Sequence, residues 1–408
     1  MPFWLAEAKA YGHGDAILWE VWSRAIHEHG FINVFRSADS NYVGYHYVLW
    51  PTSAIYARIS PEYTLWTPSL RVLIKIPPFA CDLTLAVLIF FVARSLSTAP
   101  TKAGRDLRGA AAACAFALAP GIIYDSMWWS QIDSVNTLCM LGAVVLIARG
   151  RAGWGWAVWT AGFLVKPQPI VIVPALVAFT FWQFGLSAVL RGAAATAGVG
   201  LAALLPFLLH GDAARIGDTY GRLFEQDPID LSSGAWNGWS ILDLHGDPHP
   251  ADAAFRLAGY GVSYQTLSLA LSALATLIVL AYLRRHLDLP GLLVSCAVLV
   301  FAFYMLPTST HERYLYPAFA LAAPLLVRMP RLIPAYAVLA STFFLNLVAI
   351  SPPSDSDVWQ WHGTNVAVSI ALINVGLLAG VLLWLLQGSG TLRLSESAWR
   401  ERALSRRS

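Results

Sequence analysis

Long apolar stretches separated by short polar connections dominate this chain. A spanning helix needs about 20 mostly apolar residues. By that measure the pattern predicts segments near 72–94, 109–123, 132–149, 153–165, 168–184, 192–209, 264–283, 290–307, 314–327, 332–350 and 366–387. The expected fold is all-α and polytopic, a helical bundle with about eleven crossings. Two further helices are predicted ahead of the first crossing. Leu18, Trp19, Trp22, Ala25 and Ile26 share one face at helical spacing, Glu20, Arg24, His27 and Glu28 mostly occupy the other, and Gly30 ends the run. Such an amphipathic helix suits a membrane surface. Residues 42–58, aromatic and interrupted by Pro51, read as a re-entrant or surface segment.

Composition strengthens the membrane reading. The chain has 408 residues, 57% hydrophobic and only 12% charged, with mean hydropathy +0.56. Soluble domains carry about 25% charged residues. The net charge of +3 is small and its basic residues are dispersed, which argues against a nucleic-acid partner. Trp, Tyr and Phe are plentiful, as expected at membrane–water interfaces. Cys81, Cys114, Cys139 and Cys296 all lie in apolar runs and read as small buried hydrophobes. The first 14 residues form neither a span nor a signal peptide. No Asn-x-Ser/Thr sequon occurs, and the abundance of Ala and Arg resembles a high-GC bacterial chain.

Basic residues set the expected orientation. Arg94, Lys102, Arg105 and Arg108, then Arg149 and Arg151, Arg191, Arg284 and Arg285, and Arg328 and Arg331 fall on one side if the spans alternate. The arginines of the 389–408 tail join them, and the positive-inside rule makes that side cytoplasmic. Residues 1–71 and 211–262 become external loops, flanking an N-terminal transmembrane module at 72–210 and a C-terminal one at 263–388. The 211–262 loop is too long for a mere connection and is expected to be functional. An external N-terminus needs either a first span upstream of Met1 or a true crossing by residues 43–58.

Charge inside the apolar regions is confined to a few places. Asp15 heads the amphipathic helix, Lys75 and Asp82 lie in the first clear span, and Asp125 and Asp133 flank Trp128-Trp129-Ser130-Gln131. Lys166 precedes Pro167-Gln168-Pro169, and His311-Glu312-Arg313 stands between two apolar runs. Near-membrane charges are functional candidates because each is costly to bury. Each also has an ordinary explanation. Asp15, Asp125 and Asp133 can cap helices. Lys75 can snorkel, Asp82 can pair within the bundle, Lys166 can be a loop lysine, and Trp128 and Trp129 can anchor at the interface. Read together, a carboxylate can act as general base on a hydroxyl while Lys, Arg and His hold a departing phosphate. The chain has no G-x-x-x-x-G-K-[ST] loop, no G-x-G-x-x-G turn and no H-E-x-x-H pair, so neither a soluble nucleotide sugar nor a bound metal is expected, and no cofactor.

From Asp15 to about Pro324 the chain resembles the GT-C glycosyltransferases that use polyprenyl-phosphate sugars. It is most similar to bacterial relatives of GPI mannosyltransferase II and to polyprenol-phosphate-mannose-dependent mannosyltransferases. The resemblance rests on Gly14-Asp15 with its Trp-bearing helix, Lys75-Ile76-Pro77 with Asp82, and Trp129-Ser130-Gln131-Ile132-Asp133-Ser134. It continues through Lys166-Pro167-Gln168-Pro169, Trp236-Asn237-Gly238-Trp239 and His311-Glu312-Arg313-Tyr314-Leu315-Tyr316-Pro317. It implies a GT-C-like bundle that transfers a sugar, mannose first, from a polyprenyl-phosphate donor to a hydroxyl acceptor with inversion. The site would lie on the external face of a bacterial cytoplasmic membrane. Asp15 takes the place of the general base, and His311, Arg313, Lys75 and Lys166 are its phosphate-binding candidates. Trp129, Gln131, Asp133, Gln168, Trp236, Asn237, Trp239 and Tyr314 are candidates for the substrate pocket. The chain departs from the family pattern at its start, which lacks the usual first span, and at Asn41-Tyr42-Val43-Gly44, where an Asp-Tyr-Pro-Pro-like element is usual. A different lipid-linked sugar (a pentose, an aminosugar or glucose) and a multispan lipid or solute transporter are the alternatives. Transporters often carry internal repeats and charges at the midplane. No repeat is visible here, and the charges gather toward one face.

Overall fold

A computed structural model describes residues 14–38, 40, 42–221, 231–242, 254–257, 260–353 and 364–387. The expected cytoplasmic tail, Asn41 and parts of the 211–262 loop lie outside the described residues. Helices form nearly all of the described structure. The first are α1 (Gly14–His29), α2 (Val34–Ser37), α3 (Val43–Ile59), α4 (Pro68–Leu96), α5 (Lys102–Ala117) and α6 (Pro120–Ile123). There follow α7 (Asp133–Ala148), α8 (Ala152–Val165), α9 (Val173–Phe184), α10 (Leu186–Leu209) and α11 (Ala213–Gly221). The remainder are α12 (Tyr264–Arg285), α13 (Leu289–Met305), α14 (Tyr316–Ala322), α15 (Ile333–Ile350) and α16 (Asn365–Gln387). The one addition to an all-α expectation is a short antiparallel hairpin, β1 (Ala254–Leu257) on β2 (Tyr260–Ser263), which pairs Ala254 with Ser263 and Leu257 with Tyr260.

Local chemistry fixes the long helices. The Thr67 side chain caps α4 by accepting from the Leu70 amide, with Pro68 at the first helical position. Thr101, Ser263 and Asp288 cap α5, α12 and α13 in the same way. Arg284 and Arg285 close the last turn of α12, where the helix dipole favours cations.

Among the described residues, five helices are long and apolar enough to cross a membrane: α4, α10, α12, the segment Pro330–Ile350 containing α15, and α16. A sixth span exists if the bent pair Lys102–Ala117 and Pro120–Trp128 counts as one. Others among the expected segments fall short of the length criterion. The 16 residues of α7 extend roughly 24 Å at 1.5 Å per residue, less than the ~30 Å hydrocarbon core. The expected helix at 109–123 is broken at Ala119-Pro120 and bends by 53°, because proline removes an amide donor and pushes the preceding residue out of the helical region. The apolar run 314–327 forms no single helix: Glu312–Leu315 and Ala323–Leu325 are 3-10 turns around the seven residues of α14.

The helix α13 is buried on nearly every side, as expected of an all-apolar helix at the middle of a bundle. It packs against α7, α9, α12, α14 and α16. A second, aromatic core caps one end of this bundle. Trp19, Trp22, Tyr45, Tyr56 and Tyr63 pack there with Ile74 of α4, Val165 of α8 and Phe207 of α10. So α1 does not simply rest on a surface. Trp19 and Trp22 are buried as expected, but Leu18 is exposed, and Glu20, expected on the polar face, is fully buried. Its carboxylate accepts from Arg71 at 2.9 Å and from the Trp66 amide at 2.7 Å, and this pairing makes its burial tolerable. Residues 43–59 form one continuous helix in spite of Pro51. Its N-terminus touches α8 backbone to backbone: a Cβ on Gly44 would lie 2.6 Å from the Leu164 carbonyl carbon.

Candidate functional site

The seam between the aromatic cap and the bundle gathers side chains from four distant segments. Asp15 lies in the first turn of α1, where the helix dipole favours a carboxylate. Its Oδ2 accepts a 2.6 Å hydrogen bond from Gln131 Nε2 and sits 3.4 Å from the Arg313 guanidinium. Among the described residues Oδ1 has no partner, and the side chain keeps 25% exposure. Gln131 reaches Asp15 because the turn before α7 is tight. Ser130 adopts a left-handed φ of 64°, uncommon for a non-glycine residue. The Ser130 carbonyl is held by the Trp19 indole at 2.9 Å, tying that turn directly to α1.

Arg313 also donates to Glu312 at 2.9 Å and lies over the Trp129 ring, 5.9 Å from its centroid. Glu312 is fully buried, and burial raises its carboxyl above the usual range against the opposing pull of Arg313. Its neighbour Gly234 has φ 99°, and a Cβ there would lie 2.7 Å from Glu312 Oε2. Beside Arg313, Lys166 makes a buried bidentate pair with Asp133 at 2.6 and 2.7 Å. Lys166 Nζ sits over the Tyr314 ring at 5.5 Å. Gln168 accepts from Asn136 at 3.0 Å and donates to the Tyr314 carbonyl at 2.8 Å. His311 packs edge-on against Tyr314 and bonds the Ser233 backbone. Burial, with Arg313 and Lys166 nearby, pushes His311 down to about 4. At neutral pH it offers a neutral imidazole, not a second cation.

Lys75 sits apart from this group. It is 5% exposed on α4, and its charged neighbours are Arg71, one turn back, and Glu20. Glu20 is already committed to Arg71, and among the described residues Lys75 has no ion-pair or hydrogen-bond partner. Lys166 and Arg313, by contrast, are matched by carboxylates. Unspent positive charge therefore resides at Lys75. Deeper still, Asp82 accepts from the Tyr316 hydroxyl. The fully buried Asp125 has neither carboxylate oxygen hydrogen-bonded among the described residues.

Trp236, Asn237 and Trp239 are placed elsewhere. Trp236 is fully buried against Ala367, Ile370 and Ala371. Its amide bonds Tyr304 and Asn346, Asn237 bonds Thr310, and the Trp239 indole donates to the Leu306 carbonyl at 2.6 Å. These three residues lock the 231–242 segment onto the bundle, and of their side-chain polar groups only the Trp236 indole N–H lacks a hydrogen-bond partner among the described residues.

Two participants escaped sequence reasoning. Tyr42 is partly buried near Arg313, Asp15 and Asp133, and burial raises its hydroxyl pKa. Its position next to Gly44 was visible, but not its partners. Asn136 was hidden inside the apolar run of α7, three residues after Asp133, and that one-turn spacing is the signal that could have marked it. Among the described residues no three His, Cys, Asp or Glu side chains converge as a metal site would.

No protein-family model matches this chain, and no curated protein matches it at a significant level of similarity. Fold and site therefore define the class on their own: a helical protein, compatible with multiple membrane passes, with a partly exposed carboxylate and paired cations gathered at one end of its bundle.

Proposed function

We propose that the chain is a membrane glycosyltransferase of the GT-C kind, with about eleven membrane-crossing segments, of which the shorter ones cross within the bundle. It transfers a sugar, mannose first, from a polyprenyl-phosphate donor to a hydroxyl acceptor at the external face. The observation that carries this reading is the state of Asp15. Gln131 and Arg313 hold one oxygen, and Oδ1 has no partner among the described residues at a partly exposed position. That is the arrangement a general base needs, within reach of an incoming hydroxyl and fixed by partners of its own. Asp15 takes the acceptor proton, the acceptor oxygen bonds the anomeric carbon with inversion, and the C–O bond to phosphate breaks. Polyprenyl phosphate leaves with the electron pair. Lys75, buried and unmatched among the described residues, is the group best suited to stabilise that charge. Arg313 and Lys166 shape the Asp15 side of the site, and His311, bonded to the Ser233 backbone, lines it as a neutral imidazole.

The test is a donor panel. Purified protein is incubated with polyprenyl-phosphate mannose, glucose, pentose and aminosugar, and release of polyprenyl phosphate is followed by mass spectrometry. Turnover of one donor, mannose first, is expected. No turnover of any of them, with acceptor glycans and lipids supplied, contradicts the proposal and favours a transport role.

A further inference from the structure

The opposite end of the bundle carries a second site of different chemistry. Arg151 precedes α8 and Lys166 follows it, so the 14-residue helix separates them by roughly 21 Å. Between the start of α8 and the face of α10 lies a groove of about 480 Å³. Arg151 and Arg191 stand on its wall, with Trp154, Ala157, Ala195 and Gly198 among the others. Neither arginine has a carboxylate partner among the described residues, and both are exposed. The rest of the wall is apolar or small. Trp154 is 72% exposed, as suits a ring at the level of lipid headgroups.

Two orphaned polar groups occur along the same helix seam. The Trp156 indole, 7% exposed, lies against α10 at Gly192, and its N–H has no acceptor among the described residues. The Thr196 hydroxyl is buried and unpartnered next to Ala195. Gly198 adds open space, since nothing lies within 4 Å of where its Cβ would be. Unmatched positive charge, an interfacial tryptophan and an apolar trough along two helices form a receptor for a molecule that is anionic at one end and hydrocarbon at the other.

We propose that this groove binds one anionic glycerophospholipid. Its phosphate sits between Arg151 and Arg191, and an acyl chain runs along Ala157, Ala195 and Gly198. A free phosphate would use the arginines but not the trough, and a zwitterionic lipid would bring the arginines a phosphate whose charge its own quaternary ammonium offsets. The site is separate from the Asp15 group and does not depend on the activity assigned there.

Native mass spectrometry of the detergent-purified full chain tests this directly. The probes are phosphatidylglycerol, phosphatidylcholine and inorganic phosphate. The wild type should retain one phosphatidylglycerol with at least roughly tenfold preference over phosphatidylcholine, given two cations at the headgroup. Arg151→Gln combined with Arg191→Gln should erase that preference while leaving the melting temperature without lipid unchanged. Gly198→Leu fills the trough without a backbone clash and should weaken both lipids alike. Equal retention of the two lipids by wild type, unchanged preference in the double variant, or phosphate binding without lipid retention would each overturn the assignment.

Discussion

Lys75 and Lys166 are both buried lysines at the same end of the bundle, yet their surroundings dictate opposite behaviour. Lys166 is held by both oxygens of Asp133. Removing one partner of such a buried pair leaves an uncompensated charge and costs on the order of 3–5 kcal/mol. Lys166→Gln should therefore lower the thermal midpoint strongly. Lys75 has no carboxylate of its own among the described residues, so Lys75→Met relieves a buried charge and should leave the midpoint unchanged or higher. Under the proposed function it should still cut kcat/KM by roughly 10- to 100-fold, the worth of one charge-assisted hydrogen bond to the donor phosphate. A lowered midpoint with unchanged kcat/KM would reverse the assignment. His311 yields a pH prediction. Its folded value of about 4 lies below the ordinary 6.5, so the unfolded chain binds the proton first. Its contribution to stability is complete above about 6.5 and is lost as pH falls toward 4. Denaturation curves of His311→Gln should lack that acid-side loss relative to wild type. At this scale the candidates themselves were legible, because charge stands out in an apolar sequence. Their pairings were not: Asp133 meets Lys166 across 33 positions and Asp15 meets Gln131 across 116, distances that only the packed helices close.

Among the elements, close backbone approach decides where the site residues sit. The tight contact of Gly44 with Leu164 and Val165 sets the position of the last turn of α8, and so of Lys166 just after it. Gly44→Ala should cost about 1–3 kcal/mol by overpacking and loosen the Lys166–Asp133 pair. Thermal unfolding measures the first effect, and the added loss on combining Gly44→Ala with Lys166→Gln measures the second. The two losses should sum to more than the double variant shows, because both act on one contact. Apolar periodicity located most helices to within a few residues, from α4 to α16. It failed where a proline or a change of helix type intervenes, as at Ala119-Pro120 and across 314–327, because hydropathy reports burial and not backbone continuity. The buried Glu20 on α1 exposes a related limit. An amphipathic pattern assigns polar residues to water, but here Arg71 provides the alternative partner.

For the whole molecule, the account requires the two ends of α4 to face opposite sides of a bilayer. Its 29 residues extend about 44 Å, well over the ~30 Å core. In a cysteine-free background, Glu62→Cys should react with an impermeant maleimide added outside intact cells, and Lys102→Cys only after permeabilisation. Reaction of both from one side would contradict the topology. The helical, apolar character of the fold followed from the length and spacing of the apolar runs together with composition. The gathering of residues 15, 131, 133, 166 and 311–314 at one end did not, because it arises from tertiary packing across the aromatic cap. The central claim is that Asp15 acts on the acceptor at that end. Its most direct measurement compares wild type with Asp15→Asn for sugar transfer from polyprenyl-phosphate mannose, at matched fold and membrane content. The variant preserves the size of the side chain and can still accept a hydrogen bond from Gln131. A loss of about 10²–10⁴ in kcat with intact folding is predicted. Turnover equal to wild type would contradict it.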